Sequence, residues 1–206
     1  MTASDTSYPY YAQWESRELV GAILRGELLA RDDPAWANSG AASAEEYEFW
    51  SWRACGMACL KTILCSRRDE PAGIVALAKE VLEAGGYTLG PGGLNGLIYR
   101  PFVDYLEARW QIAAEVRPSL TMASLRAELA SGAIAMASVH SSIRTAPASP
   151  RGRGGHLVLA LGLEGGDIVF HNPSGDNEAT QSHVQLAAAV FDRYFAHRGI
   201  VVRAAT

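Results

Sequence analysis

Apolar residues follow two different patterns along the chain, and the pattern changes near residue 133. Before that point apolar residues recur at the spacing of one helix face. After it they stand in short runs bounded by glycine, proline and polar residues, which is typical of strands. The chain is therefore predicted to begin with helices and to end with a sheet.

Capping residues and glycines mark the ends of the predicted helices. Ser16 is expected to cap the helix that follows it, Ser43 with Glu46 three residues later forms a capping-box pattern, and Thr121 or its neighbour is expected to cap a further helix. Gly85-Gly86 ends the helix that precedes these two glycines. Pro101 is expected to interrupt a helical segment, and Tyr8 to Trp14 reads as a short strand or extended arm. The predicted helices are 16–28, a short one from 43, 52–64, 74–84, 94–110, 121–130 and 184–196. Loops are expected at 31–42, 66–71, 90–93 and 141–154.

Four strands are predicted in the last third of the chain, at 133–140, 156–163, 167–172 and 199–203. Gly165-Gly166 lies between the second and third of these and predicts a tight hairpin turn. Helices followed by an antiparallel sheet indicate an α+β fold. No linker or repeat divides the sequence, so one domain covering 1–206 is expected.

Composition narrows the classes of function. The chain has 206 residues, of which 49% are hydrophobic and 19% charged, with a formal net charge of −4. This mildly acidic balance, without a Lys/Arg cluster, argues against nucleic acid or an anionic membrane as partner. No signal pattern or spanning apolar run is found, so a cytoplasmic location is expected. The oligomeric state has no sequence signal.

The strongest candidate for chemistry is Cys55, which opens a predicted helix among small residues. Unpaired N–H groups and the helix dipole favour negative charge at that position, so the pKa of this thiol is expected to be lowered. All three cysteines lie between positions 55 and 65. Such crowding along one helix suits a disulfide framework poorly and favours a reducing compartment.

A candidate base and a group to orient it follow in the predicted hairpin. His156 comes after Gly154-Gly155 and opens an apolar strand, and Asn172 ends the next strand. Pairing around the tight turn brings the two ends together, so the Asn172 amide is expected to hold the imidazole. His171 points to the opposite face of its strand, and His140 is a further candidate bordering the cleft.

Other readings of these residues are structural. A lone cysteine is more often a small core residue, and core packing is the preferred interpretation for Cys59 and Cys65. The four-residue spacing of Cys55 and Cys59, with scattered histidines, is a weak metal signal, so no metal and no cofactor are expected. The aromatic residues ahead of Cys55 are not interleaved with basic ones, which favours a core or cleft wall over a base-stacking platform.

At these residues the sequence resembles the papain-like cysteine peptidases of the double-glycine leader peptidase family and its stand-alone relatives. The matching motifs are Cys55-Gly56-Met57-Ala58, Gly155-His156-Leu157-Val158 and Asn172-Pro173. The resemblance covers about residues 52–174 and implies a papain-like fold with a Cys-His-Asn triad.

The sequence departs from the family ahead of the cysteine, where the family carries a glutamine that completes the oxyanion hole. Here Phe49 to Trp52 stand in that place, and the nearest upstream glutamine is Gln13. Taking Gln13 for this role makes the segment of about 15–52 a helical insertion between two catalytic elements.

The resemblance implies a cysteine peptidase or amidase-type hydrolase that forms an acyl-enzyme on Cys55 and acts on a specific peptide or peptide-like substrate. Two other functions stay open. An amine in place of water would make the same site an acyltransferase or ligase. Alternatively, the chain would be a catalytically silent binding domain that keeps the fold.

Overall fold

The computed structural model describes residues 8–67, 69–90, 93–146 and 150–203. The predicted loops at 66–71, 90–93 and 141–154 fall partly outside these ranges. The α-helices are α1 (Val20–Arg25), α2 (Ala44–Ser51), α3 (Cys55–Ser66), α4 (Ile74–Glu83), α5 (Tyr99–Trp110), α6 (Met122–Ala130), α7 (Glu178–Gln181) and α8 (Ala188–Tyr194). The strands are β1 (Leu89–Gly90), β2 (Gly93–Leu94), β3 (Ala114–Arg117), β4 (Ile134–Val139), β5 (His156–Glu164), β6 (Asp167–His171), β7 (Val184–Leu186) and β8 (Phe195–Val202).

Six of these strands form one sheet in the order β3-β8-β4-β5-β6-β7, and all of its neighbouring pairs are antiparallel. The predicted hairpin is present, with Glu164 opposite Asp167. Gly165 and Gly166 make its two-residue turn with φ of +57° and +94°, a conformation that glycine adopts without strain. β1 and β2 pair separately as a small second sheet.

Helices cover both faces of the large sheet. Successive side chains along a strand point to opposite faces, so a single strand can contribute to the core on either side. Leu157 and Leu159 of β5 belong to a core shared with α3, α4 and α5, whereas Val158 and Ala160 belong to a second core with α6 and α8. Helices on an antiparallel sheet that lies in the C-terminal part of the chain confirm the predicted α+β class.

The region between residues 16 and 51 is organised around one buried carboxylate, that of Asp33. Its oxygens accept hydrogen bonds from the Ser16 hydroxyl (2.5 Å) and backbone N–H (3.1 Å), the Tyr47 hydroxyl (2.6 Å) and the Ala35 N–H (2.9 Å). Burial alone would raise the pKa of Asp33, but these hydrogen bonds hold it below its usual value. The Asp33 carboxylate thus connects its own loop to Tyr47 of helix α2 and to Ser16, which precedes α1.

Two predicted helix caps are present and one is not. The Ser43 side chain accepts the Glu46 N–H (3.2 Å), and the Thr121 side chain accepts the Ser124 N–H (3.1 Å). Ser16 makes no capping bond, because its hydroxyl is engaged with Asp33. Among the described residues no helix is long and apolar enough to cross a membrane.

The structure corrects several expectations about secondary structure. The predicted helix at 184–196 is strand β7 followed by the shorter α8, because Val184–Leu186 pairs with β6. Pro101 does not interrupt a helix but lies in the first turn of α5, where a missing N–H costs nothing. Strand β3 is not predicted by the sequence pattern, and β8 begins at Phe195 and not at Gly199.

Candidate active site

Helix α3 begins at Cys55, which places the half-buried thiol on the first turn. The following residue, Gly56, permits the close approach of two leucines. A Cβ added there would lie 2.9 Å from Leu97 Cδ2 and 3.3 Å from Leu157 Cδ1, closer than ordinary packing allows. The absence of a side chain at 56 therefore lets β5 pack beside the start of α3.

His156 is the first residue of β5 and follows two glycines in the left-handed region, Gly154 (φ +84°) and Gly155 (φ +91°). A Cβ at 154 would lie 3.0 Å from Nη2 of Arg198, whereas a Cβ at 155 would meet open space. The two glycines turn the chain into the strand and leave room in front of the imidazole.

The imidazole of His156 is bound through Nε2 to the Asn172 side-chain oxygen, at 2.8 Å. That oxygen also accepts the backbone N–H of Ser174 (3.2 Å), and this donor fixes which amide atom faces the ring. Because an amide oxygen only accepts, Nε2 carries the proton and Nδ1 keeps a free lone pair. The ring is therefore held in the tautomer that a general base needs.

Ser174 and Arg144 extend this arrangement and were not singled out from the sequence. The Ser174 hydroxyl lies 3.1 Å from His156 Nε2, and Arg144 donates to the Ser174 hydroxyl (2.8 Å) and carbonyl (3.0 Å). Arg144 comes from the loop before β5, whereas Ser174 follows β6. No local signal marks either residue, because their contact depends on how two loops meet.

Burial is the largest influence on the pKa of both His156 and Cys55. It lowers the pKa of His156 to about 4; the Asn172 hydrogen bond raises it and the Arg144 charge lowers it further. Burial also raises the pKa of the Cys55 thiol, although the N–H groups of Leu157, Gly56 and Cys55 oppose this. The expected lowering of the Cys55 pKa is therefore wrong in direction, and thiol and imidazole are both neutral at pH 7.

Cys55, His156 and Leu157 line a cavity of about 480 Å³, which lies in the usual size range of small-ligand sites. Its remaining walls are mostly apolar or aromatic and include Trp52, Tyr87, Leu94, Leu97 and Tyr99. Among the described residues no hydrogen bond joins the Cys55 sulfur to the imidazole, and the sulfur faces the Leu157 N–H instead. The cavity brings Cys55 and His156 to one surface, with Asn172 hydrogen-bonded to the ring.

Gln13 lies between the two halves of this site. Its backbone N–H donates to the Pro173 carbonyl and its side-chain Nε2 donates to the Ser51 carbonyl, each at 2.9 Å. It is buried and is not among the described residues that line the cavity. The neighbouring Trp14 indole N–H is buried without a hydrogen-bond partner in the described part of the chain.

The other candidate histidines lie elsewhere. His171 binds the Tyr8 carbonyl (2.9 Å) and accepts the His183 N–H (3.0 Å), whereas His140 caps a 3₁₀ turn through Ser142. Neither is among the described residues that line the cavity. Cys59 is buried in the core beneath Cys55, and the Cys65 sulfur accepts a hydrogen bond from the Tyr11 hydroxyl (3.3 Å).

Comparison with known proteins bears on the fold. No family model and no curated protein sequence matches the chain. Among solved structures, the crystal structure of a candidate C39-like peptidase from Bacillus anthracis superposes with a TM-score of 0.51 at 12% identity. The match covers 75% of this chain and 90% of that one. The chain therefore has the predicted papain-like fold, of the type found in C39-like peptidases.

Proposed function

We propose that this protein is a cysteine peptidase or amidase-type hydrolase in which Cys55 is the nucleophile, His156 the general base and Asn172 the group that orients it. The observation that carries the proposal is the imidazole: its Nε2 is tied to Asn172, which leaves Nδ1 for the cavity that Cys55 also lines. The papain-like fold supports a peptide or peptide-like substrate.

Acylation begins from the neutral pair. As the Cys55 sulfur attacks the substrate carbonyl carbon, its proton passes to Nδ1 of His156, giving an imidazolium whose Nε2–H stays bonded to Asn172. The tetrahedral intermediate then expels the amine, which takes the proton from Nδ1 as the C–N bond breaks. A thioester on Cys55 and neutral imidazole remain.

Deacylation repeats these steps with water. The water oxygen attacks the thioester carbon while Nδ1 takes a proton from that water, and the C–S bond then breaks. The proton returns to sulfur, which restores the thiol and releases the acid. The backbone N–H groups at the start of α3 are one source of hydrogen bonds to the oxyanion in both steps.

A peptidyl vinyl sulfone library tests the assignment directly, because such electrophiles react with a cysteine positioned by a base. We expect intact-mass and peptide mapping at pH 7.5 to find the adduct on Cys55. His156→Ala should lower the labelling rate by at least about 100-fold, which is the usual contribution of a general base.

The other two cysteines provide the internal control in the same digest. Adducts spread equally over Cys55, Cys59 and Cys65, or labelling that His156→Ala leaves unchanged, would contradict the proposed nucleophile and base. Absence of any adduct on Cys55 across the library would favour a silent binding domain.

We further propose that Gln13 supplies the second oxyanion donor. A primary amide has two N–H bonds, and the Ser51 carbonyl occupies one of them. The contact with Ser51 also keeps the Gln13 amide close to the turn that leads into α3. An uncharged donor suits this position, because it stabilises the oxyanion without disturbing the thiol.

Gln13→Ala should slow turnover by about 100- to 1,000-fold, the cost of removing one oxyanion donor. Alkylation of Cys55 by iodoacetamide should continue at the wild-type rate, because that reaction passes through no oxyanion. The measurement is kcat on a peptide substrate beside the alkylation rate of the same preparation. A variant that turns over normally would place the donor elsewhere, with Trp14 next to test.

We propose that the whole chain is one domain and that the segment of about 15–52 is an insertion that restricts access to the cleft. Its last residue, Trp52, forms part of the cavity wall and packs edge-on against Trp14, with ring centroids 5.1 Å apart. A bulky, partly exposed indole at the mouth favours a selective enzyme over a general protease.

A further inference from the structure

The cavity that holds Cys55 and His156 is positively charged. Arg53 and Arg198 both line it, and no aspartate or glutamate is among its described lining residues. Neither arginine forms an ion pair in the described part of the chain. In a chain of net charge −4, two uncompensated guanidinium groups at the reactive cavity are a distinct feature.

The two arginines differ in how they are held. Arg53 stacks on the Phe49 ring, 4.6 Å from its centroid, and Nη1 donates to the Phe49 carbonyl (2.8 Å). These contacts engage the Arg53 head group with helix α2. Among the described residues Arg198 has no carbonyl or ring contact of this kind; its guanidinium contacts the Tyr99 hydroxyl, and its side chain is exposed.

Arg198 lies on the same side of the cavity as the glycines before His156. Its Nη2 passes so close to Gly154 that a Cβ there would lie 3.0 Å away. It also contacts the hydroxyl of the half-buried Tyr99, another lining residue, which accepts a hydrogen bond from the guanidinium. The guanidinium therefore lies beside the glycine turn that leads into His156, in the cavity that His156 also lines.

We propose that Arg198 binds a carboxylate of the substrate, so that the enzyme selects peptides or peptide-like amides carrying a negative charge near the bond to be cleaved. This inference rests on the proposed function and specifies its substrate class. A guanidinium matches a carboxylate with two parallel N–H···O bonds.

The apolar walls complete this specificity. Leu94, Leu97 and Leu157 face the same cavity, so an apolar side chain can be buried beside the bound carboxylate. No lining acid among the described residues competes for the guanidinium. We therefore expect the enzyme to recognise a negative charge at one position of the substrate and an apolar side chain at another.

Matched peptidyl vinyl sulfones test this proposal. One arm compares glutamate with glutamine at each of the three residues before the electrophile. A second arm compares free-acid with C-terminally amidated tripeptides as competitors of labelling. In one of the two arms we expect the charged compound to label Cys55, or to compete with labelling, about tenfold more effectively than its neutral counterpart. That ratio is typical of a charge-assisted hydrogen-bonded pair.

Three methionine variants remove single positive charges: Arg198→Met, Arg53→Met and Arg126→Met. Arg126 is exposed on α6 and is not among the described lining residues, so its variant controls for net charge. Preference for the carboxylate should fall to less than about twofold in Arg198→Met and persist in the other two. Arg198→Lys should retain part of it.

The outcomes separate this proposal from the proposed function. Equal labelling by charged and neutral probes in the wild type, or preference that survives Arg198→Met, would overturn the carboxylate site while Cys55 labelling still supports the hydrolase. Loss of preference only in Arg53→Met would overturn the assignment to Arg198. If no probe labels Cys55, both proposals fail.

Discussion

Replacing Cys55 by alanine should abolish turnover, with a loss of about 10⁴- to 10⁶-fold in kcat, because no other group can form the thioester. The fold should persist, since alanine is a good helix former and the change removes only a sulfur at the first turn of α3. Hydrolysis of the best substrate from the vinyl sulfone screen, followed by mass spectrometry, measures the loss.

Cys59→Ala is the matched control, because it lies one turn further along the same helix and removes the same atom from a buried position. It should lower the free energy of unfolding by about 1 kcal/mol and leave kcat nearly unchanged. If the two variants lose activity equally while remaining folded, Cys55 is not the nucleophile.

The second large effect is expected at the base. His156→Ala should lower kcat by about 10⁴-fold, because it removes both proton transfers to and from the sulfur. Asn172→Ala should cost less, about 100-fold, since the ring stays present but loses the acceptor at 2.8 Å that fixes its tautomer. Ser174→Ala should cost less again, because it leaves the Asn172 contact in place. Single-turnover rates of the three variants give this order.

The pH profile provides a readout that loss of packing alone would not move. Because burial lowers the pKa of His156 to about 4, kcat/KM in the wild type should be flat between about pH 5.5 and 7 as far as this group is concerned. Asn172 raises that pKa, so Asn172→Ala should move the acid limb to still lower pH. An acid limb near 6.5 would show that the imidazole is solvated.

His171 tests the strand register on which this assignment depends. Its ring binds Tyr8 and His183 and faces away from Asn172, so His171→Ala should affect stability more than rate. A silent Asn172→Ala together with an inactive His171→Ala would show that the orienting residue is misassigned by one position.

Local sequence determined the hairpin and the two helix caps. Each of these depends on interactions within a few residues: Gly165-Gly166 adopts positive φ, and Ser43 and Thr121 reach N–H groups three positions away. Because β5 and β6 pair around so short a turn, the proximity of His156 to Asn172 follows from the sequence as well.

Strands that depend on pairing with distant parts of the chain could not be predicted from local sequence. β7 is only three residues long and exists because β6 has an edge to pair with. β8 was predicted to begin late, because its first half contains a register shift against β4 and His197 at φ +51°. Neither feature leaves an alternating pattern in the sequence, since a short or bulged strand has too few residues to show one.

The sequence by itself determined the residue types and chain order of the proposed site, that is, Cys55, His156 and Asn172. Only the tertiary structure decided their electrostatics: a helix start predicts a lowered thiol pKa, yet burial raises the pKa of Cys55 and lowers that of His156. Tertiary structure also brought Ser174, Arg144 and Arg198 to the site from separate loops and strands. Desolvation and long-range contacts are set by what packs around a group, which no local pattern encodes.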